Sequence, residues 1–345
     1  MKQKLFFSTL IVLFVISGFA HYTHQDSTLQ FVLCALAIVF AAGFLGKATE
    51  SVAHYAGQRM GGFLNATFGN AAELIIAIFL VKNMHFEMVK ASITGSIIGN
   101  MLLVLGLSLL VGGLRFKVQK FNVMMAGHNA SLMLLGVIAL FIPAMIVLSP
   151  IEVKNFSLII AGILIVAYLL WLLFSMVTHK DEMADLAIEH SDPVWGKSKS
   201  ILYLIIATGM VVLISEWLVG NIEVLTEKFG WSELFVGAFV IAIVGNAAEH
   251  SAAIMLAAKN KMGAAVEIAI GSSLQIALFV APALVFISWM FGNTMDIIFT
   301  IPELVAIAVS VFIAKSISRD GSTNWYEGVL LLVVYIMLAI AFYMI

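Results

Sequence analysis

Charged side chains are scarce in this 345-residue sequence: Asp, Glu, Lys and Arg together make up 11%, against 62% hydrophobic residues, and mean hydropathy is +1.07. Soluble chains carry about 25% charged residues, so the composition excludes a water-soluble fold and makes a bilayer the solvent. Basic clusters are missing too, because the 18 Lys and Arg residues are scattered singly between apolar runs. That excludes a nucleic-acid footprint, which gathers basic residues on one face. Cysteine is nearly absent: Cys34 stands alone, can form no intrachain disulfide, and reads as a small packing residue. No His-Glu-x-x-His pattern occurs, which removes one signature of a zinc hydrolase.

What the sequence has instead is apolar runs near the roughly 20 residues that cross a bilayer. They fall at 5–20, 29–46, 65–81, 91–112, 125–148, 156–177, 201–219, 233–257, 264–290, 297–314 and 326–344. The expected fold is an all-α polytopic membrane protein of about eleven transmembrane helices. Cytoplasmic loops carry the excess of Lys and Arg. Here Lys82, Lys90, Lys154 and Lys228 fall on one side and the other fourteen basic residues on the side of the N-terminus. The N-terminus is therefore expected inside and the C-terminus outside. The first run follows Lys2 and Lys4 and ends in small residues, as cleaved signal peptides do; an uncleaved helix is expected, because keeping it lets the charge balance close.

The sequence also repeats itself. Gly69-Asn70-Ala71-Ala72-Glu73 returns as Gly245-Asn246-Ala247-Ala248-Glu249, an offset of 176, and Gly95-Ser96 returns as Gly271-Ser272 in the same register. A weaker match aligns Glu50 with Glu216. Two motifs in one register mark a duplication into spans two to six (29–177) and seven to eleven (201–345). An N-terminal helix (1–28) precedes the halves and an acidic cytoplasmic linker (178–200) separates them. Five spans is an odd number, so the halves enter the membrane from opposite sides. Inverted repeats of this kind characterise secondary transporters, which bind substrate near the midplane and move one bundle against the other.

Glu73 and Glu249 fall well inside apolar runs. An ionised side chain at the bilayer centre costs about 2.5–3.5 kcal/mol on insertion scales, and the spans offer no lysine or arginine as partner. Each glutamate must therefore be protonated, hold a cation or face water. A protonated glutamate bonded between helices for structure alone is the bland alternative, and its duplication in matching motifs weighs against it. The preceding Gly-Asn permits a local helix break that frees backbone carbonyls for an ion. Asn70 and Asn246 add side-chain oxygens, Ser96 and Ser272 add hydroxyls from the neighbouring span, and Asn100 or Gln275 follows on nearly the same face. Close packing through small residues explains the glycines and serines about equally well. An oxygen-only set suits a hard cation such as Ca2+ in a shell of about 6–8 ligands. His250 points about 100° away from Glu249 and reads as a packing or proton-tuning residue rather than a ligand; His128 reads as interfacial.

These double Gly-Asn-Ala-Ala-Glu blocks, each with a Gly-Ser on the following span, resemble the signature repeats of the Ca2+/cation antiporter superfamily. Gly245-Asn246-Ala247-Ala248-Glu249-His250 and Gly271-Ser272-Ser273-Leu274-Gln275 are most similar to its CAX, or H+/Ca2+ exchanger, branch, and the likeness covers nearly the whole chain. The resemblance implies that Glu73 and Glu249 carry Ca2+ and protons, with Asn70, Asn246, Ser96 and Ser272 lining the site. Asn100 matches a site asparagine of the wider superfamily, while its repeat mate is Ile276, with Gln275 one position earlier. The function implied is Ca2+ export against protons by alternating access, in a cytoplasmic membrane. Ca2+, protons and lipid are the expected partners, with no resident cofactor and no catalysis. A homo-oligomer is compatible with the sequence.

Na+-coupled Ca2+ or Mn2+ exchange is the nearest alternative; a passive cation channel and a membrane-embedded enzyme are more distant ones. The linker residues Asp181, Glu182, Asp185, Glu189 and Asp192 fit a short amphipathic helix with an acidic face, ordinarily just a solvated surface. If that face instead senses cations, neutralising it will change the apparent Ca2+ affinity in vesicle uptake and leave maximal flux similar.

Overall fold

A computed structural model of the chain describes residues 2–121, 123–146, 149–179 and 195–345. The acidic residues 181–192 and the side chain of His128 lie outside the described set. Among the described residues, eleven helices coincide with the eleven expected spans. They are α1 (Lys2–Tyr22), α2 (Ser27–Phe68), α3 (Ala71–Lys82), α4 (Phe86–Phe116), α5 (Val123–Ala144) and α6 (Pro150–Leu173). After the linker come α7 (Lys197–Val219), α8 (Glu233–Ala257), α9 (Met262–Met290), α10 (Ile301–Ile317) and α11 (Trp325–Met344). Helices are the expected solution, since backbone groups in hydrocarbon must be satisfied within the segment. Side chains such as Ile138, Ile163, Val166, Phe312 and Ile336 face outward, as they do where lipid replaces water.

Local sequence sets the helix starts. Ser149 with Glu152, Thr300 with Glu303 and Asn324 with Glu327 form reciprocal capping boxes at the heads of α6, α10 and α11. Each satisfies backbone N–H groups that the first turn leaves unpaired.

The packing itself is two-fold. With α2–α6 laid on α7–α11, the α4–α11 contact maps onto α9–α6, α4–α10 onto α9–α5, α4–α8 onto α9–α3, and α3–α7 onto α8–α2. The α2–α7 and α5–α10 contacts map onto themselves. α1 stands outside this symmetry and lies against α2 and α7; Phe6 and Phe7 meet Phe40 and Phe44, and Phe14 meets Trp217.

Three details depart from the sequence reading. Residues 47–64, expected as a connection, are helical, and α2 runs unbroken for 42 residues; no proline interrupts this stretch, and in or near lipid a helix is the cheapest way to satisfy its backbone. Lys90, expected in a connection, lies inside α4 and is buried. Its ammonium reaches Glu87 at 2.8 Å, Asp296 at 3.3 Å and the Ile298 carbonyl at 3.0 Å, which ties α4 to the segment before α10. The third departure is π-helical geometry inside the spans, at Gly99–Val104 in α4 and Ile276–Val280 in α9. These stretches are repeat mates. In α9 the cause is legible, because Pro282 follows immediately and supplies no N–H to the carbonyl one turn back; the α4 stretch contains no proline.

One tight crossing lies between α4 and α11. A Cβ on Gly328 would lie 2.6 Å from both the Gly106 carbonyl oxygen and the Leu110 amide nitrogen. The antiparallel pairing of Val118–Lys120 with Ser322–Asn324 closes the same corner. Gly328→Leu is expected to cost about 1–3 kcal/mol by overpacking, read as a lower thermal midpoint of the detergent-solubilised protein.

Candidate functional site

The site forms where the two repeat motifs meet at the centre of the bundle. α2 ends at Phe68, Gly69 and Asn70 make a turn, and α3 begins at Ala71. The predicted helix break is therefore present in the first half, and it places Glu73 in the first turn of α3. A carboxylate there sits at the positive end of the helix dipole. In the second half the expected break is absent: α8 runs continuously through Gly245, Asn246 and Glu249. Gly245 faces Glu73 there; a Cβ on it would lie 3.6 Å from both the Cα and the Cβ of that residue, at ordinary van der Waals distance. The glycine lies in a turn in the first half and within unbroken helix in the second.

Glu73 is buried. The Ser96 hydroxyl donates to its Oε1, and the Asn246 amide donates to the Ser96 oxygen at 2.8 Å and to the Ala242 carbonyl at 2.9 Å. Asn246 thus fixes the direction of the Ser96 proton toward Glu73. Glu249 is half-buried and bonds to the Ser272 side chain, the repeat counterpart of the Ser96 contact. Asn70 breaks the symmetry: its Nδ2 donates to Gln275 Oε1 at 3.0 Å instead of reaching Ser272. The two carboxylates lie within Coulombic reach of each other. Two hydrogen-bonded groups thus cross between the halves, Asn246–Ser96–Glu73 and Asn70–Gln275, while Glu249 bonds to Ser272 within the second half and Asn100 makes no hydrogen bond among the described residues.

Several polar atoms of the candidate site lack a hydrogen-bond partner among the described residues: Glu73 Oε2, Glu249 Oε2, Asn70 Oδ1, and both Oδ1 and Nδ2 of Asn100. An enclosed polar atom without a partner costs about 1–3 kcal/mol. All but one of these atoms are oxygens, so the set answers a hard cation or a proton. Asn100 is fully buried at the start of the π-helical stretch of α4, which packs on α8 and α9. π-bulges concentrate at functional positions, and this one accompanies the least satisfied side chain of the site. No group of three or more His, Cys, Asp or Glu able to hold a metal occurs among the described residues; the donors here are two carboxylates with amides and hydroxyls. His250 is buried with Nε2 unpartnered, and Lys90, the buried cation of α4, is engaged with Glu87 and Asp296.

The sequence profile described as "Sodium/calcium exchanger protein" matches residues 26–177 and 199–344. The chain is 44% identical over 349 residues to the "Ca(2+)/H(+) antiporter ChaA" of Bacillus subtilis (strain 168), covering 99% of both chains. It is also 44% identical over 364 residues to the "Ca(2+)/H(+) antiporter" of Synechocystis sp. (strain ATCC 27184 / PCC 6803 / Kazusa), covering 99% of this chain and 98% of that one. Among solved structures, "Structure of native YfkE" superposes with a TM-score of 0.87 at 42% identity, over 99% of this chain and 100% of that chain.

Asn100 separates a ligand from a packing residue. Its amide makes no hydrogen bond among the described residues, so Asn100→Ala is expected to leave the thermal midpoint nearly unchanged. The same variant should weaken cation binding about tenfold, equivalent to roughly 1.4 kcal/mol, measured by isothermal titration in detergent.

Proposed function

The chain belongs to the sodium/calcium exchanger family, and on that premise we propose that it is a secondary active antiporter exporting Ca2+ from the cytosol in exchange for protons. The observation that carries this reading is the pair Glu73 and Glu249, contributed by opposite halves within Coulombic reach and bordered by unpartnered oxygens. Two carboxylates in an apolar interior must be neutralised, either by one divalent ion or by protons. The names of the relatives match those two alternatives.

In the cycle, the ionised pair takes Ca2+ at the cytoplasmic side with help from Asn70, Asn100 and the Ser96 and Ser272 hydroxyls. One bundle then moves against the other around the fixed site. Protons on the far side replace the ion, and the neutral site returns. Two protons balance the two charges of Ca2+; a third would make the cycle respond to membrane potential. Ser96 and Ser272 serve both states, since a hydroxyl can donate to a carboxylate or turn its lone pairs toward an ion. The orientation follows the basic residues, with the N-terminus and the 178–200 linker in the cytosol and the bundle in a bacterial-type cytoplasmic membrane.

Glu73→Gln and Glu249→Gln keep the shape and hydrogen-bonding capacity of the site and remove its charge. Each is expected to abolish Ca2+ uptake driven by a pH gradient in everted vesicles while the protein still folds, as checked by its thermal midpoint. Normal uptake in either variant would overturn the reading. A Na+ gradient alone is expected to drive no uptake in proteoliposomes; if it does, coupling is to Na+.

A further inference from the structure

The two-fold exposes one position where the halves are chemically unlike. On α4, Ala91 and Gly95 share a face at four-residue spacing, and that face is closed against α8. A Cβ on Gly95 would lie 2.0 Å from the Ala238 carbonyl oxygen, and one on Gly237 would lie 2.6 Å from the Ala91 Cβ. By the 176-residue offset, the mates on α9 are Glu267 for Ala91 and Gly271 for Gly95. This second face is open: a Cβ on Gly271 would meet nothing within 4 Å. It is also polar, because Glu267 stands where its mate has only a methyl group.

We propose that Glu267 is a third carboxylate on the ion's route, a cytoplasmic way-station that captures Ca2+ and delivers it along α9 to the Glu73–Glu249 site. Glu267, Gly271 and Gln275 recur every four residues and so line one face of the helix. Gln275, at the deep end, accepts a hydrogen bond from Asn70, three residues from Glu73. Gly271, at the midpoint, carries no side chain, and a Cβ there would meet nothing within 4 Å. Glu267, at the shallow end, lies six residues beyond Lys261, in a connection the charge balance places in the cytosol. Its Oε2 is enclosed without a hydrogen-bond partner among the described residues. A negative group in a narrow, low-dielectric mouth concentrates cations ahead of the site. The outer route has no equivalent: its corresponding face carries Ala91 and is sealed, and the nearby Glu303 is committed to the Thr300 cap and to Thr94. Glu267 binds the ion in passing, so it sets how readily Ca2+ enters from one side and leaves the exchange chemistry to the inner pair.

This inference rests on the Ca2+/H+ reading, and sidedness tests it separately. Ca2+ transport by the full chain would be measured in everted and in right-side-out vesicles with Ca2+ offered at one face at a time. Glu267→Gln is expected to raise the KM for Ca2+ at the cytoplasmic face by about tenfold. The outer-face KM and the maximal rate should stay within about twofold of wild type, and Glu267→Asp should restore most of the loss. An unchanged cytoplasmic KM, or an equal rise at both faces, overturns the proposal. Should Glu267→Gln fail to accumulate, Gly271→Val, which fills the same open face, must give the same one-sided rise; an unchanged KM there overturns it as well. Absence of pH-driven uptake in the wild-type chain would sink the antiport reading instead.

Discussion

Two carboxylates held in the interior of an apolar helical bundle constrain everything around them. Neither Glu73 nor Glu249 can remain ionised there without compensation, and no cationic side chain pairs with either among the described residues. Lys90, the buried ammonium of α4, is held by Glu87, Asp296 and a backbone carbonyl. The compensation has to come from mobile charge. The surroundings fit that demand, since hydroxyls and amides adapt to an ionised or a protonated carboxyl, whereas a fixed lysine would lock one state. A permanent salt bridge at this position would make a stable protein and an inactive one.

The two glutamates are equivalent in sequence and unequal in surroundings. Glu73 gains the dipole of a helix that starts two residues earlier, together with the Asn246–Ser96 relay. Glu249 sits inside an unbroken helix with Ser272 as its hydroxyl partner. The inequality extends along the helices that flank the site. α4 is jammed against α8 through Gly95 and Gly237, while its mate α9 leaves Gly271 in open space. A duplicated fold in which one crossing is closed and its counterpart open has the asymmetry that alternation between two accesses requires. The glycines matter because only a residue without a Cβ lets backbones approach closely enough to seal.

Much of this was legible in the residues. Apolar run length located all eleven helices, and the 176-residue offset identified the halves and the paired site motifs. Residue chemistry then named a candidate set, of which Ser96, with Asn246 behind it, and Ser272 bond to the glutamates, Asn70 and Gln275 bond to each other, and Asn100 is buried. The same motif did not reveal that Gly-Asn breaks the helix at residue 69 and leaves it intact at residue 245, because a glycine only permits a turn and the packing partner decides. Lys90 was misplaced for a related reason: a lysine at the edge of an apolar run can snorkel outward or turn inward, and acceptors 206 and more residues away settled which. Glu267 passed unnoticed because a lone acid near a span end is unremarkable until its repeat mate is seen to be a sealed alanine.

The sequence by itself determined the bilayer as solvent, the number of spans, the duplication and the identity of the charged pair, because each depends on composition and periodicity along the chain. Only the tertiary structure decided which helix breaks, where the π-helical turns fall, which crossing is closed and which oxygens are left without partners. Those features arise from contacts between segments far apart in the chain, where the same local motif meets different neighbours in the two halves.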